Sequence, residues 1–276
     1  MSTDTVTPLV PTAKVQQGKV TQLRVLNSEW IKLRTLRSTP ITLLVAVAIM
    51  VGMGTLLTYL RASHRGHGPG GHLEVFNGAQ VSLKMYFLAQ LAIGVLGVLV
   101  ISGEYSTGMI RASLSAVPKR LPVLWAKAAI YGVVVLVLMT VACFVAFFGG
   151  QAVLSSYGLA SKLSDPGVLR IVFGTALYLT VVGLLGVAFG ALIRNSAGAI
   201  AALFGVLLIL PGLADFLPSS WTPHVVPYLP SSAGTDVLNL VSDPNSMAPW
   251  SGFALMCGYA VVLLAVAAVL LKRRDA

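Results

Sequence analysis

Apolar residues come in six long runs separated by polar stretches, at roughly 41–60, 81–102, 124–148, 170–193, 197–217 and 251–271. Each approaches or exceeds the ~20 residues a helix needs to cross the hydrocarbon of a bilayer. Only Arg194-Asn195-Ser196 parts the fourth run from the fifth. As one helix the two would be far too long for a membrane, so the basic turn makes them a tight hairpin. The pattern predicts an all-α integral membrane protein with six transmembrane helices over residues 41–272.

Two stretches outside these runs carry helical periodicity. In residues 20–40, Leu23, Leu26, Trp30 and Leu33 fall on one arc of a helix, and Arg24, Ser28 and Lys32 on the opposite side. Arg34 and Arg37 crowd the apolar arc, but long basic side chains snorkel to headgroups. The pattern suits an N-terminal interfacial amphipathic helix lying along a leaflet, with Pro40 turning the chain into the bilayer. A basic juxtamembrane linker would show much the same composition.

The second stretch, Gly103 to Arg120, follows the second run. Ser106 or Thr107 can cap a helix start, with Glu104 near the positive end of its dipole. Ile110, Leu114 and Val117 then share one face, and Pro118 ends the element. This predicts a short helix at the tip of a cytoplasmic loop, suited to docking on another protein; a plain connecting loop is the alternative. Residues 1–19 show no periodicity and read as a disordered cytoplasmic tail.

Composition sharpens the picture. Hydrophobic residues make up 56% of the chain, charged residues 10%, and mean hydropathy is +0.85. Soluble domains carry about 25% charged residues, so there is too little polar surface here to coat a water-facing globule. The net charge of +10 would suit nucleic acid. However, the basic residues sit at the ends of apolar runs, so the partner they indicate is the lipid bilayer and no nucleic acid. Of the 19 Lys and Arg, 14 fall on the side that holds both termini. The positive-inside rule then puts both termini in the cytoplasm of a multi-pass cell-membrane protein. Cys143 and Cys257 lie inside apolar runs and read as small packing residues.

The loops on the other side differ in kind. Residues 61–80 are Gly-rich and carry His64, His67 and His72, a set that could ligate a metal but is left unorganised by its glycines; no metal site is expected. Residues 211–250 hold Pro211, Pro218, Pro223, Pro227, Pro230, Pro244 and Pro249, with Trp221 and Trp250 as interfacial aromatics. Their apolar pieces are too short to span, and predict re-entrant or surface-lying half-helices that cap a pathway.

No GxxxxGK[ST] phosphate loop, HExxH or GxSxG occurs, and ionisable residues are missing at mid-span depth. That weighs against a proton- or sodium-coupled carrier, which usually has a charged relay inside the membrane, although hydroxyl and carbonyl groups also bind ions. Mid-span polarity is limited to Gln90, Thr140, Tyr178 and Thr180. Gly94 and Gly97 in the second run, and Gly183, Gly186 and Gly190 in the fourth, would let helices approach closely.

Glu104-Tyr105-Ser106-Thr107-Gly108-Met109-Ile110-Arg111 resembles the acidic-aromatic-x-x-Gly segment of ABC transporter type 2 permeases. Gly190-Ala191-Leu192-Ile193-Arg194-Asn195-Ser196-Ala197-Gly198 resembles their hairpin between the fourth and fifth spans. The plan of residues 20–272 agrees with that family as well. The resemblance implies a membrane subunit of an ABC-type exporter, not itself an enzyme and binding no cofactor. A second permease copy or homologous permease would complete the pair, and a separate ATPase subunit would bind ATP-Mg. Glu104, Tyr105, Ser106, Gly108, Met109, Arg111 and Leu114 would form the ATPase-coupling interface, with Leu23, Leu26, Trp30 and Leu33 on the interfacial helix and Arg194 and Asn195 in the inner hairpin. A membrane scaffold that moves no solute, or an ion-coupled carrier, are the competing readings.

Overall fold

The computed structural model describes residues 22–36, 38–64, 77–106, 108, 121–214, 216–240 and 246–273, and among them there is no strand. Among the described residues, six helices are long and apolar enough to cross a membrane: Ser38–Ser63, Gly78–Ser106, Leu121–Ser155, Val168–Ile193, Ser196–Ala214 and Pro249–Arg273. A further helix, Gln22–Thr35, precedes them. With six spans, that helix and Arg273 lie on the same side, called here the terminal side.

All six apolar runs are helices, and the boundaries differ where polar residues extend or break them. The first span begins at Ser38, so Pro40 sits in its opening turn, where a missing N–H costs nothing. The third span runs on to Ser155 because its polar end is satisfied. The Gln151 amide donates to Ser82 Oγ (3.2 Å), and its Oε1 accepts from the Ser161 N–H (2.7 Å). The second span is interrupted at Lys84–Met85, between helical pieces Gly78–Leu83 and Tyr86–Ser106. Asn77 caps its start, accepting from the Ala79 and Gln80 N–H groups. The fifth helix ends at Ala214, sooner than its apolar run suggests.

The fourth span is the centre of the bundle: 72% of its most apolar window is buried, against 22% for the first and fifth spans. Its packing on the second span relies on missing side chains. A Cβ on Gly97 would run into the Gly183 carbonyl, one on Gly186 into the Gly94 carbonyl, and one on Gly190 would lie 2.7 Å from the Val98 oxygen. The two backbones therefore touch, as the glycine spacing predicts. Tyr131 of the third span closes the group by donating its hydroxyl to the Ile93 carbonyl at 2.6 Å.

Polar groups inside the spans are satisfied in two ways. Thr140 and Thr180 bond back to carbonyls four residues earlier in their own helices. Tyr178 donates instead across the bundle to Gln90 Oε1 (2.7 Å), and Tyr86 meets its ring edge-on at 5.6 Å between centroids. The proline-rich segment before the sixth span folds into short helical turns, among them Thr222–Val225 and Pro230–Thr235. Gly234 lies against Tyr178 and Met256, so Pro230–Thr235 is wedged beside the fourth and sixth spans. This turn is a half-helix of the kind the prolines predict, and protein encloses it, which is what irregular backbone at membrane depth requires.

The glycine seam predicts a sharp contrast between two substitutions. Gly97→Leu should abolish the monodisperse gel-filtration peak of detergent-extracted protein. Gly258→Ala, where an added Cβ meets nothing within 4 Å, should elute as wild type. Equal behaviour of the two variants would show that the seam does not hold the bundle.

Candidate functional site

Helix Gln22–Thr35 buries Val25, Glu29 and Leu33, one residue per turn on a single face. That face packs on the start of the third span, where Val25 meets Val123 and Ala126. The predicted apolar arc therefore splits. Leu33 turns inward and Leu26 is half-buried against the same cluster, whereas Leu23 (77% exposed) and Trp30 (47%) face outward with Ile31 and Leu36. Lys32, expected on the polar side, also turns inward. The reason is the carboxylate at the middle of the buried face.

Among the described residues, Glu29 anchors an ion cluster with Lys32, Glu104 and Lys127. Lys127 Nζ lies 2.6 Å from Glu29 Oε2 and 2.7 Å from Glu104 Oε1. Lys32 Nζ lies 2.8 Å from Glu29 Oε1 and 3.0 Å from Glu104 Oε1. Each cation thus touches both carboxylates, and within these four residues the formal charges cancel. The side chains of Glu29 and Lys127 are each 5% exposed. Taking such ions out of water costs several kcal/mol apiece, which only close, multiple contacts of opposite sign offset. Burial pulls the Lys32 ammonium down, but its hydrogen bonds to Glu29 and Glu104 and the charge of both outweigh that, so its pKa stands above the ordinary lysine value. Its folded-state pKa is raised, so its contribution is complete at neutral pH and is lost only as pH rises through that raised value.

One residue further on, the second span meets the hairpin. The Arg194 guanidinium sits 5.1 Å from the centroid of the Tyr105 ring. Arg194 ends the fourth span in a left-handed turn (φ 58°), its N–H bonded to the Gly190 carbonyl. Asn195 caps the fifth span by accepting from the Gly198 N–H at 2.9 Å. Ser102 and Ser196 join hydroxyl to hydroxyl at 2.8 Å. The last turns of the second span therefore hold the N-terminal helix through Glu104 and the hairpin through Ser102 and Tyr105.

This arrangement changes the reading of the loop. Glu104 and Ser106 both lie in the final turn of the helix Tyr86–Ser106, and Ser106 Oγ donates to the Gly103 carbonyl at 3.0 Å. The helix simply outruns its apolar stretch, because Glu104 finds its partners in Lys127 and Lys32. Gly108, with φ 71°, bonds its N–H to the Tyr105 carbonyl and turns the chain out, the left-handed conformation that favours glycine past a helix end. Thr107 and residues 109–120, including Met109, Arg111 and Leu114, lie outside the described residues, as do the 1–19 tail, Arg37, His67 and His72.

Sequence reasoning missed Glu29 altogether and took Lys127 only as a topogenic charge. A signal was present. The chain has nine acidic residues, and one of them stands between Val25 and Leu33 on what becomes the buried face. The cluster offers nothing to transfer or activate. It can tie three elements into one mechanical unit. Among the described residues, no group of three His, Cys, Asp or Glu could hold a metal.

Removing one member should therefore cost far more than removing a balanced pair. Lys127→Met leaves two buried carboxylates facing Lys32, an expected loss of about 3–5 kcal/mol. Adding Glu29→Gln restores neutrality and should recover part of that loss. Thermal unfolding in detergent reads both, and a Lys127→Met variant that melts with wild type would strip the cluster of structural weight.

Comparison with curated proteins gives no match. The family described as ABC-2 family transporter protein matches residues 25–212, a stretch that includes Glu29, Glu104, Lys127 and the hairpin. Six apolar helices accompany that match, and a family of transport membrane subunits is not itself catalytic. The chain belongs to the ABC-2 transporter family and is a membrane permease component of an ABC transporter.

Proposed function

We propose that the chain is the membrane-spanning subunit of an ATP-driven exporter in the cell membrane, with both termini cytoplasmic. A separate ATPase subunit carrying ATP-Mg docks on its terminal side, and a second permease, a copy or a relative, completes the pathway. The ion cluster is the observation that carries this reading. It sits where the chain leaves the second span for residues 109–120, and it joins that point to the N-terminal helix and the third span. A displacement of the 109–120 segment by the ATPase would reach Glu104 and Tyr105 first. From there it would pass to helix Gln22–Thr35 through Lys32 and Lys127, and to the Arg194 hairpin through the Tyr105 ring. The helix's outward face, with Leu23, Trp30 and Ile31, suits the headgroup region of the inner leaflet.

Gentle extraction of the tagged chain from its native membrane should bring down a stoichiometric soluble protein with a GxxxxGK[ST] loop. In that complex, Glu104→Lys gathers three cations around Glu29. It is expected to leave the subunit in the membrane while hydrolysis no longer drives export, so that the bound ATPase turns over at the rate of the free one. Pairing it with Lys127→Glu restores two charges of each sign and should recover the coupled rate. Unaltered coupling in Glu104→Lys, or a chain that comes out alone with no ATPase in any fraction, would remove the assignment.

A further inference from the structure

One cation inside the second span plays no part in that cluster. Lys84 occupies the break between Gly78–Leu83 and Tyr86–Ser106 and is exposed, and its ammonium has no hydrogen-bond or ion-pair partner among the described residues. Its depth follows from the helix. Twenty residues separate Lys84 from Glu104, about 30 Å at 1.5 Å per residue, which is the thickness of the hydrocarbon core. The Glu104 end lies at an interface by a second sign: Trp30 and Trp125, beside Glu29 and Lys127, are both exposed, as aromatics at headgroup level are. Lys84 therefore marks the opposite boundary.

Below it, Leu88, Leu91 and Val95 follow at one residue per turn, partly exposed on the same side of the helix. They reach about 16 Å inward from Lys84, the depth of one leaflet. The first and fifth spans, the two least buried in the bundle, both pack on this helix. The strip thus has a cation at headgroup level, an apolar floor one leaflet long, and, among the described residues, no carboxylate against the ammonium. The charge it lacks is negative, at the height where lipid phosphates lie.

We propose that this strip is a binding site for an anionic phospholipid of the leaflet opposite the termini, its phosphate on Lys84 and an acyl chain along Leu88, Leu91 and Val95. The site does not depend on the exporter reading, and its occupancy is measured without an ATPase.

The test uses the purified full chain in nanodiscs, with spin-labelled phosphatidylglycerol and phosphatidylcholine of the same chain length as probes. Wild type should immobilise phosphatidylglycerol about fivefold more tightly, the weight of one lysine at an anionic lipid surface. Lys84→Gln should erase the preference and Lys84→Arg should keep it. Arg61→Gln, an exposed cation near the end of the first span, should leave it unchanged. Leu91→Trp, which fills the strip without touching the charge, should lower the immobilised fraction of both lipids. No preference in wild type, a preference that survives Lys84→Gln, or one that Arg61→Gln abolishes equally would overturn the site.

Discussion

Three buried charges and a partly buried fourth, gathered at one end of the bundle, constrain the rest of the molecule. A carboxylate in a membrane protein's interior is tolerable only with a cation in contact, and here each ion depends on two others. Glu29 has to come from a helix that lies outside the spans, Glu104 from the end of the second and Lys127 from the start of the third. The cluster thereby fixes where the N-terminal helix docks, how far the second span extends before turning, and how the third span enters. Moving any one of the three elements by a helical turn would leave a buried ion without its partner.

At the core the constraint is of the opposite kind, an absence of side chains. Gly94 and Gly97 meet Gly183 and Gly186 backbone to backbone, so the second and fourth spans have no compressible layer between them. Freedom is found elsewhere. The first and fifth spans each contain a π-helical stretch, Ile49–Met53 and Gly205–Ile209, and bury least of their length. Two rigid spans, joined at one end through the Arg194 guanidinium over the Tyr105 ring, are thus flanked by two looser ones.

Much of this was legible in the chain. Length and apolarity gave all six helices, because bilayer thickness is an external ruler that sequence can be held against. The Arg194-Asn195 division and the glycine seam were legible for the same reason: a turn residue and a missing Cβ have one physical meaning wherever they occur. The ion cluster was not. A pairing such as Glu29 with Lys127 joins residues 98 apart. Periodicity treats Lys32 as polar and therefore outward, when an attractive partner across the helix face reverses its direction. Gln151 shows the same limit, since a helix continues past its apolar run wherever its polar groups find partners.

The separation along the chain has a consequence for biogenesis. Glu29 is synthesised long before Lys127, and Glu104 also precedes it. Until the third span is made and inserted, the nascent chain holds two acids and a single lysine at this corner, and the N-terminal helix has no neutral seat. It can take that seat only once Lys127 has been made. A chain truncated before that point would carry an undocked helix and an unneutralised carboxylate, features that a quality-control protease can read.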